Sequence, residues 1–289
     1  MKPKVIILLE TLPLYSVPLY NILAQKIDLT VAYTVKNEYK ENKLFKIKKL
    51  NYRKIGGLFF IKDDFFKMVS QYDVVIFSSD PHSISFCLLP FIIHRSYKVI
   101  AWSIGIRASY RRRYDLSRKK SIIDRAYGYI LNKCDAIIFY MKEPIIYWGN
   151  TIKKNKIFIA HNSVDVNTDL VNTDQLKNRI LFIGTLYKEK KIYELIDAFI
   201  EAKNNEKNGE FLYMDIIGKG DELENIKDII KKNGLSESVF LHGAIYDEKQ
   251  LAEYFSRSLL CISPDQAGLS VLKSMGYGVP YVTRTDAIT

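Results

Sequence analysis

Short apolar runs alternate with stretches of helical spacing along the whole chain. Lys4 to Leu9, Leu29 to Tyr33, Val74 to Phe77, Val99 to Trp102, Ala136 to Phe139 and Ile157 to Ala160 form one series. Ile180 to Ile183, Leu212 to Ile217, Val239 to Leu241, Leu259 to Ile262 and Pro280 to Val282 form a second. The runs are almost continuously Val, Ile, Leu and Phe, without alternation of apolar and polar positions. Strands need that pattern when helices cover both faces of a parallel sheet. Between the series, Asn162 to Asn178 is rich in Asn, Asp and Thr and has little periodicity, so it reads as an interdomain linker. The pattern predicts two doubly wound α/β domains, residues 1–165 and 166–289, with ligands expected at the carboxyl edges of the strands and in a cleft that the halves face.

Composition narrows this picture. With 289 residues, 48% of them hydrophobic, the chain has enough apolar material for two cores, which excludes disordered and fibrous classes. Cys87, Cys134 and Cys261 lie far apart in apolar surroundings, which supports neither a disulfide framework nor a zinc site and fits a reducing cytoplasm. The apolar start, Val5 to Ala24, is interrupted by Glu10, Pro13 and Pro18, and reads as strand, loop and helix instead of a signal peptide. Ile84 to Ile93 is too short to span a bilayer.

Charge separates the halves. Residues 1–165 carry 28 Lys/Arg against 13 Asp/Glu, a net +15, whereas residues 166–289 carry 15 against 19, a net −4. A basic first half points to an anionic surface as partner, a phospholipid membrane or nucleic acid, with a solubilising surface as the competing reading. The strongest cluster runs from Arg107 to Lys120 and includes Arg111, Arg112, Arg113, Arg118, Lys119 and Lys120 around Tyr110 and Tyr114. No recognition helix or aromatic sheet accompanies it, which disfavours nucleic acid.

Three stretches carry candidate chemistry. In ILFIGTLYKEKKIYELIDAF, residues 180–199, a buried strand turns at Gly184 into a helix, and Lys190 falls near the helix start, where phosphate is favoured. A solvated lysine is the competing reading. In FLYMDIIGKGDELENI a strand ends on Gly218, Lys219 and Gly220, glycines that permit close backbone approach to a ligand or simply form a turn. In SPDQAGLSVLKSMGYGVP, residues 263–280, a loop bearing Asp265 leads to Gly268, Leu269 and a helix carrying Lys273.

The third stretch resembles the signature of family 4 of the retaining glycosyltransferases, the glycosyl transferases group 1 of the GT-B fold, Pro-Ser-x-x-Glu-Gly-x-Gly-Leu-x-x-x-Glu-Ala-x-Ala-x-Gly-x-Pro. Gly184 to Lys191 resembles the family's Gly-Arg-Leu-x-x-x-Lys-Gly, and His161 to Asp165 its Asn-Gly-Val-Asp. The resemblance implies a GT-B fold and transfer from a nucleoside-diphosphate sugar. It gives Lys190 the donor diphosphate, Asp265 the sugar hydroxyls, and the Gly268 and Leu269 amides the sugar or phosphate, with Gly184, Thr185 and Gly218 lining the donor pocket. It implies no cofactor beyond the donor and no metal. Three positions depart from the pattern. Thr185 replaces the arginine beside the diphosphate, Lys273 replaces a glutamate that usually holds ribose, and Ile104 stands at the histidine of a Trp-Gly-His-Gly-like strand end, Trp102 to Gly105. Lys273 donates and cannot accept, so it is a candidate to supply the charge lost with the arginine. His82 and Trp102 sit at expected strand ends, with a surface histidine and core packing as the competing readings. Family members also continue beyond the Gly-x-Pro strand, so the second domain reads as lacking its usual end.

The expected activity is a metal-independent retaining hexosyltransferase acting on a cell-surface glycan or lipid-linked acceptor, cytoplasmic and peripheral at the inner membrane face. The rival is a weak or inactive GT-B fragment that binds nucleotide-sugar or membrane.

Overall fold

The computed structural model describes residues 2–35, 43–62, 64–107, 115–172, 174–205, 211–265 and 267–285. The chain divides into two compact units, residues 1–162 and 163–289.

The first unit is built on strands β1 (Lys4–Leu9), β2 (Asp28–Tyr33), β3 (Lys46–Lys49), β4 (Tyr52–Ile55), β5 (Leu58–Ile61), β6 (Val74–Ser78), β7 (Lys98–Ser103), β8 (Ala136–Phe139) and β9 (Ile157–Ile159). Seven of them form one sheet in the order β3-β2-β1-β6-β7-β8-β9, and every pairing is parallel. The helices α1 (Val17–Lys26), α2 (Phe65–Val69), α3 (Ile84–Leu88), α4 (Ile122–Lys133) and α5 (Pro144–Trp148) lie between them in sequence. In β1 four consecutive residues, Val5 to Leu8, are buried, because alternate side chains enter two different cores. Ile6 and Leu8 pack with Val75, Phe77, Val99 and Trp148, while Val5 and Ile7 pack with Val17, Tyr20 and Val31 on the other face. Continuous hydrophobicity is what a strand covered on both sides requires. The cap of α4 is equally local: Ser121 accepts from the Asp124 amide, and the Asp124 carboxylate accepts from the Ser121 amide.

The short strands β3, β4 and β5 lie outside the apolar runs of the sequence. β3 reads KIKK and is an exposed edge, where charge discourages further pairing. β4 and β5 make an antiparallel hairpin separate from the main sheet, turning at Gly56 and Gly57, both with positive φ.

The second unit has β10 (Arg179–Ile183), β11 (Tyr213–Ile217), β12 (Val239–Gly243), β13 (Ser258–Ile262) and β14 (Tyr281–Val282), in the all-parallel order β12-β11-β10-β13-β14. Its helices are α6 (Ile192–Asn204), α7 (Leu223–Lys232), α8 (Glu248–Ser256) and α9 (Ser270–Gly276). The three-to-four spacing of α6 buries Ile192, Leu195, Ile196 and Phe199 on one face of the sheet, and α8 puts Leu251, Ala252 and Phe255 on the other. Residues 163–178 are part of this unit, so the expected linker is corrected. Val166, Leu170 and Val171 pack on its core, and the Asn172 amide donates to Ser256 Oγ at 2.9 Å. Sparse apolar residues in a polar stretch were enough to anchor it, although they lacked a period. Among the described residues no helix is long and apolar enough to cross a membrane.

Candidate functional site

In the second unit the carboxyl ends of β10, β11 and β13 share one edge of the sheet, as parallel strands must. The loops after β10 and β11 touch through their backbones. Leu186 donates from its amide to Lys219 O at 3.0 Å, Glu222 donates to Leu186 O at 3.1 Å, and Gly184 donates to Ile217 O at 3.0 Å. A Cβ on Gly218 would lie 1.8 Å from Gly184 O, and one on Gly220 would lie 2.1 Å from Leu186 O. Both glycines are therefore demanded by loop-to-loop contact. Thr185 is exposed beside Gly184, and Leu186 is buried beneath it as the anchor of the loop.

From this anchor the chain makes a tight turn, Lys188–Lys190, that carries the Lys190 side chain inward to 7% exposure. Its Cε stands 3.8 Å from where a Gly184 Cβ would be, and its ammonium lies 5.7 Å from the centre of the Tyr187 ring. Burial pulls its pKa down to about 8, against the attraction of the Asp265 carboxylate. Lys191 then adopts a left-handed conformation, φ 54° and ψ 39°, before α6 begins. That geometry explains why the motif it resembles has glycine there.

Asp265 comes from the loop after β13. It is 6% exposed; Ser263 Oγ donates to its carbonyl at 2.8 Å, and Arg284 Nη1 meets its Oδ2 at 3.2 Å. Gly268 takes φ 60°, and Leu269 is the N-cap residue of α9. Ser270 is held by Tyr281, its Oγ 2.8 Å from the Tyr281 hydroxyl, which burial pushes up to about 12. Lys190 and Asp265, 75 positions apart in sequence, thus come together at the strand ends, with Gly184 against Lys190 and Gly218 against Gly184. A buried ammonium beside closely packed backbone suits an oxyanion.

Lys273 is engaged differently. Its ammonium sits 2.8 and 2.6 Å from the two oxygens of Glu248 and donates to Asp165 O at 2.7 Å, and Tyr277 donates its hydroxyl to the same Glu248. Neither Glu248 nor Arg284 stood out in the sequence. Each meets its partner only through the fold, 25 and 19 positions away.

The first unit has its own concavity of about 440 Å³, lined by Tyr15, Asp80, His82, Trp102, Tyr127 and Tyr140 among others. His82 Nδ1 and the His82 amide both lie on Asp80 Oδ1, at 2.7 and 2.9 Å, which fixes the ring. Tyr127 OH joins Ser79 Oγ at 2.7 Å and donates to Ser103 Oγ at 3.1 Å beneath the cavity. Trp102 packs 6.0 Å from Tyr140, centroid to centroid. Of the basic run, residues 108–114 lie outside the described residues. Arg107 and Arg118 are committed to the buried Asp124, each at 3.5 Å from its Oδ1, so their charge supports the fold.

Residues 169–287 match the family model described as glycosyl transferases group 1. An uncharacterized glycosyltransferase of Methanocaldococcus jannaschii is 29% identical over 111 residues, 38% of this chain. That match spans about a quarter of the relative's length, 26%. The chain is similar in structure to the lipopolysaccharide outer core galactosyltransferase WaaB, with TM-score 0.62, 15% identity, and coverage of 99% of this chain and 81% of that one. A glycosyltransferase of Rickettsia africae gives TM-score 0.66 at 14% identity, covering 99% and 80%. A variant of S. aureus TarM, solved in complex with UDP, fondaparinux and alpha-GlcNAc-glycerol, gives 0.67 at 11%, covering 97% and 85%. Likeness at such identities establishes the fold.

Proposed function

We propose that the protein is a retaining glycosyltransferase using a nucleoside-diphosphate sugar, a reading supported by the match of residues 169–287 to the glycosyl transferases group 1 and by the GT-B fold of the chain. The observation that carries this reading is the burial of Lys190 beside Asp265 at the carboxyl edge of a parallel sheet. An ammonium at the carboxyl edge of a parallel sheet, beside closely packed backbone, is placed to meet a negative ligand. In a transfer reaction the diphosphate leaves with growing negative charge, so Lys190 stabilises what develops in the transition state. Asp265 accepts hydrogen bonds from the donor sugar, and the chain around Gly184, Thr185, Gly218, Gly268 and Leu269 lines the donor pocket. The UDP found in TarM supports a nucleoside diphosphate as donor core.

The acceptor in this proposal is a cell-surface glycan or lipid-linked saccharide, met by the first unit at an anionic membrane surface. A hexose-type sugar, independence of metal and a peripheral position at the inner membrane face belong to the same proposal. Thr185 and Lys273, placed where the family pattern has arginine and glutamate, favour the second reading, a non-catalytic binding module. Calorimetry with UDP, ADP and GDP tests the donor site. Lys190→Ala weakens the best-bound of these by about 1.5–3 kcal/mol, the worth of a hydrogen bond to a charged group, and leaves the fold intact. Unchanged affinity removes Lys190 from the site and the donor reading with it.

A further inference from the structure

The hairpin β4–β5 stands apart from the seven-stranded sheet, and its two faces differ. Its register puts Tyr52 opposite Ile61, Arg53 opposite Phe60, Lys54 opposite Phe59 and Ile55 opposite Leu58. Opposite residues share a face and successive residues alternate, so Tyr52, Lys54, Phe59 and Ile61 lie on one face and Arg53, Ile55, Leu58 and Phe60 on the other. The first face is occupied. Ile61 packs on the core of the first unit, the Tyr52 and Phe59 rings stand 5.3 Å apart, and Lys54 Nζ lies 5.3 Å from the centre of the Phe59 ring. On the second face Ile55 and Leu58 are exposed and Phe60 is half-buried, and none of the three joins a core cluster of the described residues. Gly56 and Gly57 close the tip, where a Cβ on either would meet nothing within 4 Å. An apolar tip therefore projects into open space.

Charge indicates what covers that tip. Residues 44–67 carry seven Lys/Arg against two Asp/Glu, a net +5. Both acids, Asp63 and Asp64, come after β5, and Asp64 Oδ2 lies 3.9 Å from Lys67. Lys46, in the edge strand β3, meets Asp28 at 2.8 Å. Lys48, Lys49, Arg53 and Lys62 are exposed, and among the described residues no ion pair engages them. A second copy of the hairpin would bring like charges together, which is unfavourable. An anionic lipid surface attracts them, and apolar side chains flanked by Lys and Arg make an interfacial anchor.

The hairpin is also fixed beside the concavity of the first unit. The Phe59 amide donates to His82 O at 2.8 Å and the Ile61 amide to Ser85 Oγ at 2.9 Å, and His82 lines that concavity. We propose that the tip of the β4–β5 hairpin is a membrane-docking element, with Ile55 and Leu58 entering the interface of an anionic bilayer while Lys48, Lys49 and Arg53 meet its headgroups. The assignment rests on the reading that the first unit meets an anionic membrane, and it gives that reading a contact surface. A hairpin docked in this way holds the concavity near the lipid surface, where a lipid-linked saccharide presents its sugar.

The test measures binding of the full chain to phosphatidylcholine vesicles with and without phosphatidylglycerol, with melting temperatures as the check on folding. Two variants alter the hairpin, Ile55→Ser with Leu58→Ser, and Lys48→Gln with Lys49→Gln and Arg53→Gln. A control pair, Ile93→Ser with Ile122→Ser, removes exposed apolar residues elsewhere in the first unit. Each cation beside an anionic surface multiplies binding about fivefold, so the triple variant is expected to weaken binding to the anionic vesicles about a hundredfold. The tip variant is expected to lose about tenfold or more, and the control pair nothing. The three native cysteines are buried, so a solvatochromic dye can be placed selectively on Leu58→Cys, and it is expected to shift to the blue on anionic vesicles. An unshifted dye overturns the proposal whichever variant weakens binding. Full binding by both hairpin variants, alongside a loss on neutralising Arg111, Arg112 and Arg113, overturns it and spares the membrane reading. An equal loss in the control pair overturns it in favour of unspecific apolar adhesion. Loss of self-association in the tip variant, with vesicle binding unchanged, gives the hairpin to a second copy and likewise overturns it. If the unaltered chain binds neither kind of vesicle, the membrane reading fails and the proposal with it.

Discussion

Lys190 shows how one residue's environment sets its chemistry. A lysine in water holds its proton past pH 10, whereas burial brings Lys190 to about 8, despite the nearby Asp265. A bound phosphate restores the charged form, so binding near pH 8 takes up a proton. Nucleoside-diphosphate affinity is therefore expected to be greatest below pH 8 and to fall as pH rises through it. Titration calorimetry in buffers of different ionisation enthalpy measures that uptake, and its persistence in Lys190→Ala assigns it to another group. Stability responds with its own sign. The unfolded chain holds the proton up to about 10.5 and the folded chain only to about 8, so this group's penalty is full below pH 8 and relieved between pH 8 and 10.5. A residue kept at that cost to the fold is more readily explained by function than by packing.

Loops between elements are the next scale, and here glycine decides. At Gly220 an added Cβ would lie 2.1, 2.6 and 2.8 Å from backbone atoms of Leu186, which cannot rotate away as a side chain would. Gly220→Ala must therefore push the loop after β10 off the loop after β11, costing about 3 kcal/mol and displacing Leu186, the anchor of the loop that leads to Lys190. Gly234, with φ 66° and open space around it, is the comparison, since alanine there meets only the left-handed backbone penalty of about 1–2 kcal/mol. Chemical denaturation of the two variants separates the costs, and nucleotide affinity should fall only in Gly220→Ala. Equal destabilisation of the two would mean that the loop contact yields easily. The β4–β5 hairpin teaches a related lesson. Two adjacent glycines between apolar-rich runs signal a tight turn, but strands of four residues are too short to show a period.

For the whole molecule, charge is the property most unevenly shared, +15 before residue 166 and −4 after it. Since Arg107 and Arg118 are held by Asp124, the remaining cations must account for any surface attraction. Vesicles rich in anionic lipid are expected to bind the chain, less as salt rises, because exposed charges are screened beyond about 10 Å at 0.1 M. Neutralising Arg111, Arg112 and Arg113 together should weaken flotation with such vesicles. Equal binding to neutral vesicles would instead point to apolar insertion.

The sequence by itself determined the fold class and the secondary framework apart from the short strands β3, β4 and β5. Strand after strand was legible because burial on both faces leaves a continuous apolar run, and each helix covering the sheets needs an apolar stripe. It also determined which residues lie near which strand ends, since a strand, a glycine and a lysine in succession are constrained by chain connectivity alone. The tertiary structure decided who meets whom. Asp215 is a single charge in the apolar strand YMDII, and only the fold supplies Arg179 at 3.0 Å and His242 at 2.6 Å, from positions 36 and 27 residues away. Lys273 looked like a phosphate ligand by position, yet Glu248 claims it, and Arg284, with no motif to mark it, arrives at Asp265. Periodicity reports which side of an element is dry, a local property. Pairing of charges depends on long-range distances that open only when separate strands are laid side by side, and a buried charge takes whichever partner those distances allow.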